Sequence, residues 1–278
     1  MKVVIVRILL VLTCFGQNFT IAQEVKIKDT EQRKLYSEIV NTEYSINLFL
    51  PRGYDKSSKS YPVVFISDAE YNFGMVSYAA RRLIKDKLIP ELVLVGIAYD
   101  TSYTAYTNFR QRDYTPTKTR LPNTGGGDNF LNFIEKELIP FLGKEYRITE
   151  DRTFCGHSLG GLIGFHALFT KQELFSRYLL VSPSLWYDNK EIINAAKRFF
   201  SEGNAIHSKV YAAIGELETT EKGLTHEMVD DLNRFVDLLN SKTETKFQIK
   251  KEILDNETHR SVFPRAFTNG MRVLFEKK

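Results

Sequence analysis

Short apolar runs that alternate with helix-like stretches constrain this chain more than any other feature of its sequence. Runs such as PVVFIS and LVLVGIA are apolar at successive positions, which is typical of strands that are buried on both faces. Strands separated by helices predict an α/β fold with a mostly parallel, doubly wound sheet, whose ligands bind at the carboxyl ends of the strands. The predicted strands span residues 44–50, 62–67, 92–98, 152–156, 177–182, 209–214 and 247–253.

Two of the helix-like stretches have a clear apolar face. Residues 128–142, with Asp128 as the expected N-cap, and residues 224–240 place aromatic and aliphatic side chains at helical spacing.

Residues 99–127 have no sustained period. Long connections inside a domain are usually functional or disordered, and this one carries several tyrosines and arginines, so we expect a binding loop.

The composition limits the class of protein. The chain has 278 residues, of which 43% are hydrophobic, enough for one large domain with a buried core. Its 38 basic and 34 acidic residues are interspersed, and no basic block indicates a nucleic-acid partner. The sequence has neither an H-E-x-x-H motif nor paired cysteines, and it predicts no metal centre and no cofactor.

Residues 1–22 have the pattern of a secretory signal peptide. Two basic residues accompany a short apolar run, and the small residue Ala22 offers a cleavage point. We therefore expect a mature single domain of residues 23–278 that is secreted or periplasmic and has no integral membrane segment. The alternative is a lipoprotein acylated on Cys14.

The segment GHSLG, residues 156–160, fits the G-x-S-x-G pattern and lies between a predicted strand and a predicted helix. In this setting the pattern is typical of a nucleophile elbow, where the serine occupies a strained turn and the glycines avoid collisions. Ser158 is therefore the candidate nucleophile. The N–H of Leu159, at the start of the helix, is a candidate donor to the oxyanion. The alternative is a glycine-rich turn with an ordinary serine.

A nucleophilic serine of this fold class needs an acid and a histidine, which follow it in that order along the chain. His259 follows the last predicted strand, so a loop there can return its imidazole to Ser158. The acid is expected after the preceding strand, where Glu216 and Glu218 both qualify, and Asp188 is a third possibility. Spacing alone does not choose among the three carboxylates.

Together these motifs resemble the putative esterase family of α/β-hydrolases, which includes siderophore, feruloyl and acetyl esterases, S-formylglutathione hydrolase and the mycolyltransferases. The branch of the siderophore esterases is the most similar, through the arginine-rich loop and the SPSLW run. The resemblance covers nearly all of the expected mature chain. It rests on YPVVFISDAEYNF (61–73), NFRQRDYTPT (108–117), GHSLGG (156–161), SPSLWYD (182–188), GELE (215–218) and HRSVFPRAFTNGMRVLF (259–275).

The resemblance implies an α/β-hydrolase fold and a serine esterase that works through an acyl-enzyme. It implies Ser158 as nucleophile, His259 as base and Glu218, in preference to Glu216, as acid. The implied substrate is a small-molecule ester, in the first place a catecholate trilactone siderophore. Feruloyl or acetyl esters on polysaccharide are the alternative substrates, and a non-catalytic binding protein with this fold is the alternative to an enzyme.

The resemblance also indicates residues around the reacting ester. The family's second oxyanion donor follows an Asp-Gly or His-Gly step, and this chain has Asp-Ala at 68–69, so the N–H of Glu70 is the expected donor. Arg110 and Arg112 are candidates to bind an anionic or catechol-bearing acyl group through forked hydrogen bonds. Trp186 is a candidate wall for an aromatic ring. Loop salt bridges and core packing are the alternative roles of these three side chains.

Overall fold

A computed structural model of the chain describes residues 26–242 and 248–276. Within these ranges eight strands form one sheet in the order β1-β2-β4-β3-β5-β6-β7-β8. The second strand is antiparallel to both of its neighbours, and every pair beyond it is parallel, so the predicted mostly parallel sheet is confirmed. The strands are β1 (Thr30–Ser37), β2 (Thr42–Phe49), β3 (Tyr61–Ile66), β4 (Val93–Ala98), β5 (Ile148–His157), β6 (Arg177–Val181), β7 (Lys209–Gly215) and β8 (Gln248–Leu254).

Helices pack on both faces of this sheet. One apolar cluster contains side chains of the first and last helices, and the other contains side chains of the remaining long helices. A π-helical turn, Ile134–Leu138, joins the third helix to the fourth. The helices are α1 (Ala69–Lys85), α2 (Tyr103–Asp113), α3 (Gly127–Phe133), α4 (Ile139–Glu145), α5 (Leu159–Thr170), α6 (Tyr187–Ser201), α7 (Met228–Lys242) and α8 (Val262–Leu274).

The strand β4, which lies between β2 and β3 in the sheet, shows why the apolar runs are continuous. All of its residues are buried. Because successive side chains of a strand point to opposite faces, Val93, Val95 and Ile97 pack in one apolar cluster while Leu94 and Ala98 pack in the other. The sheet is therefore covered by apolar side chains on both faces at β4.

The structure corrects several predicted element boundaries. The edge strand β1 was not predicted, because its residues TEQRKLYS are mostly polar and half-buried or exposed. The helix expected at 224–240 begins only at Met228. Asp128 is not an N-cap, since it lies inside α3, where its carboxylate is 2.7 Å from Nε2 of His166.

The segment 99–127 is more ordered than its sequence indicates, because it contains α2. Only two side chains of this helix, Tyr106 and Asp113, are buried, which is too few for a visible helical period. Asp113 is fully buried and accepts hydrogen bonds from the hydroxyls of Tyr44 (2.6 Å) and Tyr99 (2.9 Å). Buried polar contacts of this kind anchor α2 to the sheet.

The predicted signal peptide, residues 1–22, and Cys14 lie outside the described residues, so their roles remain predictions. Across residues 26–242 and 248–276, no helix combines the length and the apolar character that a membrane span requires.

Candidate active site

Ser158 lies in the turn between β5 and α5, with φ 62° and ψ −118°. A non-glycine residue with such a backbone conformation stores about 1–3 kcal/mol of strain and persists only where its surroundings hold it. Here the N–H of Ser158 donates to the carbonyl of Val181 (2.9 Å), and the N–H of Leu162 donates to the carbonyl of Ser158 (3.0 Å). The neighbouring strand and the following helix therefore fix the turn that presents the serine.

Two glycines make this turn possible because there is no space for a side chain. A Cβ on Gly156 would lie 2.2 Å from the carbonyl oxygen of Gly160, and a Cβ on Gly160 would lie 2.3 Å from Oγ of Ser67. The glycines of the G-x-S-x-G pattern thus allow the strand end and the helix to approach each other closely.

His259 and Glu218 contact each other at the carboxyl edge of the sheet, with 2.6 Å between Nδ1 and Oε2. The side chain of Glu218 is fully buried, whereas that of His259 is 28% exposed. The other carboxylate oxygen of Glu218 accepts hydrogen bonds from Oγ of Ser182 (2.5 Å) and from the N–H of Gly215 (2.8 Å). These partners satisfy the buried carboxylate and fix its orientation toward the histidine.

The other two candidate acids lie elsewhere. Glu216 is exposed, and its carboxylate accepts a hydrogen bond from the N–H of Asn256 (3.0 Å). Asp188 accepts a hydrogen bond from the hydroxyl of Thr117 (2.6 Å).

His157 connects the histidine to the serine turn. Its ring packs against that of His259, with 4.6 Å between the centroids, so the imidazole of His259 lies beside the residue that precedes Ser158. Burial, together with the nearby His259 and Arg110, lowers the pKa of His157 to about 3. His157 is therefore neutral at physiological pH, and it places no second charge next to His259.

The hydroxyl of Ser158 is 3.3 Å from Oγ of Ser184. Within the described part of the chain, the hydroxyl of Ser158 makes this hydrogen bond and none with His259. Catalytic hydrogen bonds are often absent or long before substrate binds. Proton transfer from Ser158 to His259 therefore remains a prediction.

Both predicted oxyanion donors lie in the first turn of a helix. Leu159 is the first residue of α5, and Glu70 is the second residue of α1. The N–H of Tyr71 donates to the carbonyl of Asp68 (3.2 Å), so the N–H of Glu70 precedes the backbone hydrogen bonds of α1. Burial raises the pKa of the Glu70 carboxyl, while hydrogen bonds from the N–H groups of Tyr99 and of Glu70 itself act in the opposite direction. The role of the Glu70 N–H remains a prediction.

Arg110 and Arg112 hold carboxylates of the protein itself. Arg110 contacts Asp68 through two hydrogen bonds, Nε to Oδ1 (2.7 Å) and Nη2 to Oδ2 (3.0 Å). Arg112 contacts the buried Asp113 (Nε to Oδ1, 2.6 Å) and donates to the hydroxyl of Thr42 (2.9 Å). Contact of either arginine with an acyl group remains a prediction.

Trp186 lines a cavity of about 650 Å³ together with Lys118, Arg120 and Leu121. Its ring stacks on the imidazole of His226, with 4.0 Å between the centroids and 10° between the planes. The sequence predicts a binding role for residues 99–127, but it does not distinguish Lys118 or Arg120 within them. The available signal was two cations within the KTRL run, in the segment that precedes α3.

Ser182 and Ser184 were also not singled out, although both lie in the SPSLW run. Their contacts with Glu218 and Ser158 depend on how β6 ends beside β5 and β7, which a linear sequence does not display. Among residues 26–242 and 248–276, no three histidine, cysteine or acidic side chains converge to hold a metal ion.

Comparisons with known proteins show the family of this chain. The model of the family described as Putative esterase matches residues 37–268. Ferri-bacillibactin esterase BesA of Bacillus subtilis (strain 168) is 31% identical over 264 residues, which are 88% of this chain and 89% of the relative. The crystal structure of BES protein from Bacillus cereus superposes with a TM-score of 0.82 at 27% identity, over 93% of this chain and 100% of that one.

An IroE-like serine hydrolase from Shewanella oneidensis has a TM-score of 0.80 at 30% identity, over 89% of this chain and 80% of that one. The likeness therefore extends over most of the length of each protein and confirms the predicted hydrolase-type α/β fold.

Proposed function

This chain belongs to the Putative esterase family and is a carboxylic ester hydrolase, and from that premise we propose that it hydrolyses a siderophore ester through Ser158, His259 and Glu218. The observation that carries the proposal is the contact of His259 with the fully buried Glu218, 2.6 Å apart, beside the strained turn of Ser158. A curated relative named as a ferri-bacillibactin esterase supports the siderophore substrate.

In the proposed reaction Glu218 keeps the proton of His259 on Nδ1, which leaves Nε2 free to accept. Nε2 takes the hydroxyl proton of Ser158 as the oxygen attacks the ester carbonyl. The N–H groups of Leu159 and Glu70 stabilise the oxyanion. The tetrahedral intermediate expels the alcohol, which takes the proton from His259. Water, deprotonated by His259, then attacks the acyl-enzyme; the second tetrahedral intermediate expels the Ser158 oxygen, which takes this proton back from His259, and the acid is released.

The lining of the cavity beside Trp186 suits a catechol-bearing or anionic acyl group. An aromatic ring packs well against a tryptophan face, and the cations of Lys118 and Arg120 complement phenolate or carboxylate oxygens. The SPSLW run contacts the serine turn through the Ser158–Ser184 hydrogen bond. Because Trp186 follows Ser184 by only two residues, we propose that the cavity lies within reach of an acyl group on Ser158.

The proposal includes export of the protein as a mature domain of residues 23–278, on the strength of the pattern at residues 1–22. Mass spectrometry of the protein secreted by its host would give the mature N-terminus. Gln23 as the first residue is expected, and an unprocessed Met1 would contradict export by this route.

Hydrolysis of a small ester panel tests the substrate. The panel contains p-nitrophenyl acetate, methyl ferulate, acetylated xylan and a catecholate trilactone with and without iron, each with wild type and Ser158→Ala. We expect the highest kcat/KM on the trilactone and a loss of about 10⁶-fold in kcat for Ser158→Ala. A preference for methyl ferulate or acetylated xylan would contradict the siderophore assignment, and full turnover by folded Ser158→Ala would contradict the nucleophile.

A further inference from the structure

The guanidinium of Arg110 bridges two strand ends. It holds Asp68, just after β3, through two hydrogen bonds of 2.7 and 3.0 Å. Its Nη2 also donates to the carbonyl of His157, the last residue of β5, at 3.2 Å. The side chain of Arg110 is 18% exposed and that of Asp68 is 6% exposed, so the bridge lies largely out of solvent.

Each of these strand ends is followed, two residues later, by one of the predicted oxyanion donors. Asp68 precedes Glu70 by two residues, and His157 precedes Leu159 by two residues. The ladder between β3 and β5 pairs Ile66 with Cys155, and the two chains then separate into different helices. Arg110 joins them beyond this last pair, where ladder hydrogen bonds no longer set their spacing.

Asp68 needs such support because its backbone is left-handed, with φ 54° and ψ 42°. Its Oδ1 also accepts a hydrogen bond from the hydroxyl of Tyr106 (2.7 Å), and its N–H donates to the hydroxyl of Tyr114 (3.2 Å). All three partners lie on α2 or at its C-cap. An unfavourable backbone conformation held by several partners is typical of a site whose geometry matters for function.

We propose that Arg110 is a positioning residue that fixes the spacing between the Glu70 and Leu159 N–H groups of the oxyanion site. This inference rests on the proposed function. If Arg110 positions the oxyanion donors, its loss should slow the chemical step on every ester. If Arg110 instead binds the acyl group, its loss should affect only esters whose acyl group carries an acid or a catechol.

The charge of Arg110 suits this role. Burial disfavours the guanidinium, but the charge and hydrogen bonds of Asp68, together with the nearby Tyr106 and Tyr114, raise the pKa of Arg110, so the guanidinium stays charged. A lysine has no planar fork and cannot reproduce two parallel bonds to Asp68 together with the bond to His157. We therefore expect Arg110→Lys to be impaired in spite of its conserved charge.

The test compares two esters in wild type, Arg110→Gln and Arg110→Lys. The first ester is p-nitrophenyl acetate, which has neither a carboxylate nor a catechol, and the second is the catecholate trilactone. Loss of oxyanion geometry lowers kcat by about 10²-fold, so we expect that loss on both esters for Arg110→Gln, with KM changed by less than about threefold. Arg110→Lys should fall between wild type and Arg110→Gln.

Arg234→Gln provides the matched control, because Arg234 is 65% exposed on α7 and pairs with Asp230 in the same helix. Its kcat should equal that of wild type. If Arg110→Gln does not fold, Asp68→Asn removes the other half of the bridge at constant volume and should give a similar loss. If both fold, the double variant should lose little more than either one, as expected for two groups of one interaction.

Three results overturn the inference. The first is an unchanged kcat on p-nitrophenyl acetate with a raised KM on the trilactone, which would make Arg110 a substrate ligand. The second is an additive loss in the double variant. The third is an unchanged kcat in folded Asp68→Asn. If wild type itself hydrolyses neither p-nitrophenyl acetate nor the trilactone, the proposed function is contradicted instead. The two failures are therefore distinguishable.

Discussion

Exchange of Glu218 for glutamine changes the charge of the proposed acid at nearly constant shape. In the wild-type chain Oε1 accepts from Ser182 and from the N–H of Gly215, while Oε2 faces Nδ1 of His259. The amide oxygen of a glutamine is favoured at the Oε1 position, because the reverse orientation would place an NH₂ against the fixed N–H of Gly215. The NH₂ then faces His259 and stabilises the tautomer protonated on Nε2, which cannot accept the serine proton.

These contacts give the size of the effect. The active tautomer of His259 returns only if the glutamine amide turns over. The N–H of Gly215 then has no acceptor, which costs about 1–3 kcal/mol because this group is buried. The neutral amide also loses a charge-assisted hydrogen bond to the imidazolium, worth about 1.5–3 kcal/mol. Since Glu218 is fully buried, we take the upper half of both ranges and expect a loss in kcat of about 10³- to 10⁴-fold. Such a loss agrees with the ~10⁴-fold effect of the corresponding aspartate-to-asparagine exchange in a serine protease triad.

Steady-state hydrolysis of p-nitrophenyl acetate measures this loss, with thermal unfolding to establish that the variant is folded. Glu216→Gln is the matched control, because Glu216 is exposed and contacts Asn256 instead of His259. Its kcat should stay within about twofold of wild type. Retention of more than about a tenth of kcat by folded Glu218→Gln would refute the reasoning, and a large loss in Glu216→Gln would move the acid to that residue.

Three further outcomes follow from the same geometry. Ser182→Ala removes one donor to Glu218, so kcat should fall about tenfold at constant KM, and an unchanged kcat would show that this hydrogen bond does not orient the acid. Gly156→Ala drives a Cβ to 2.2 Å from a backbone carbonyl, so urea denaturation should give a free energy of unfolding lower by about 1–3 kcal/mol; equal stability would contradict the close packing of the turn. Folding lowers the pKa of His157 from 6.5 to about 3. Between these two pH values the unfolded chain binds a proton at this histidine and the folded chain does not. Wild-type stability should therefore fall with decreasing pH by up to about 1.4 kcal/mol per pH unit, and His157→Gln should lose this slope; equal slopes in the two proteins would contradict a buried neutral histidine.

The sheet was predictable because its strands are apolar on both faces and separated by helices. The helix α2 was not, since it buries only Tyr106 and Asp113 and is held by hydroxyl and carboxylate contacts with residues far away in the sequence. The strand β1 was missed for a similar reason, because an edge strand can be polar along most of its length.

The serine turn could be located from five residues, since the glycines and the strand-to-helix change are local properties of the sequence. The surroundings could not be obtained in the same way. Spacing alone does not choose among Glu216, Glu218 and Asp188, and the position of the loop after β7 shows which one contacts His259. The engagement of Arg110 by Asp68 depends on α2 lying over the ends of β3 and β5, which no local pattern encodes.

Trapping of the acyl-enzyme tests the central claim most directly. Wild type and His259→Ala are mixed with the catecholate trilactone, quenched in acid within the first turnover, digested and analysed by mass spectrometry. The account predicts that the wild-type peptide containing Ser158 carries the mass of the acyl group, and that no adduct forms in the variant. Turnover of the trilactone by wild type without an adduct on Ser158, together with undiminished turnover by Ser158→Ala, would contradict it.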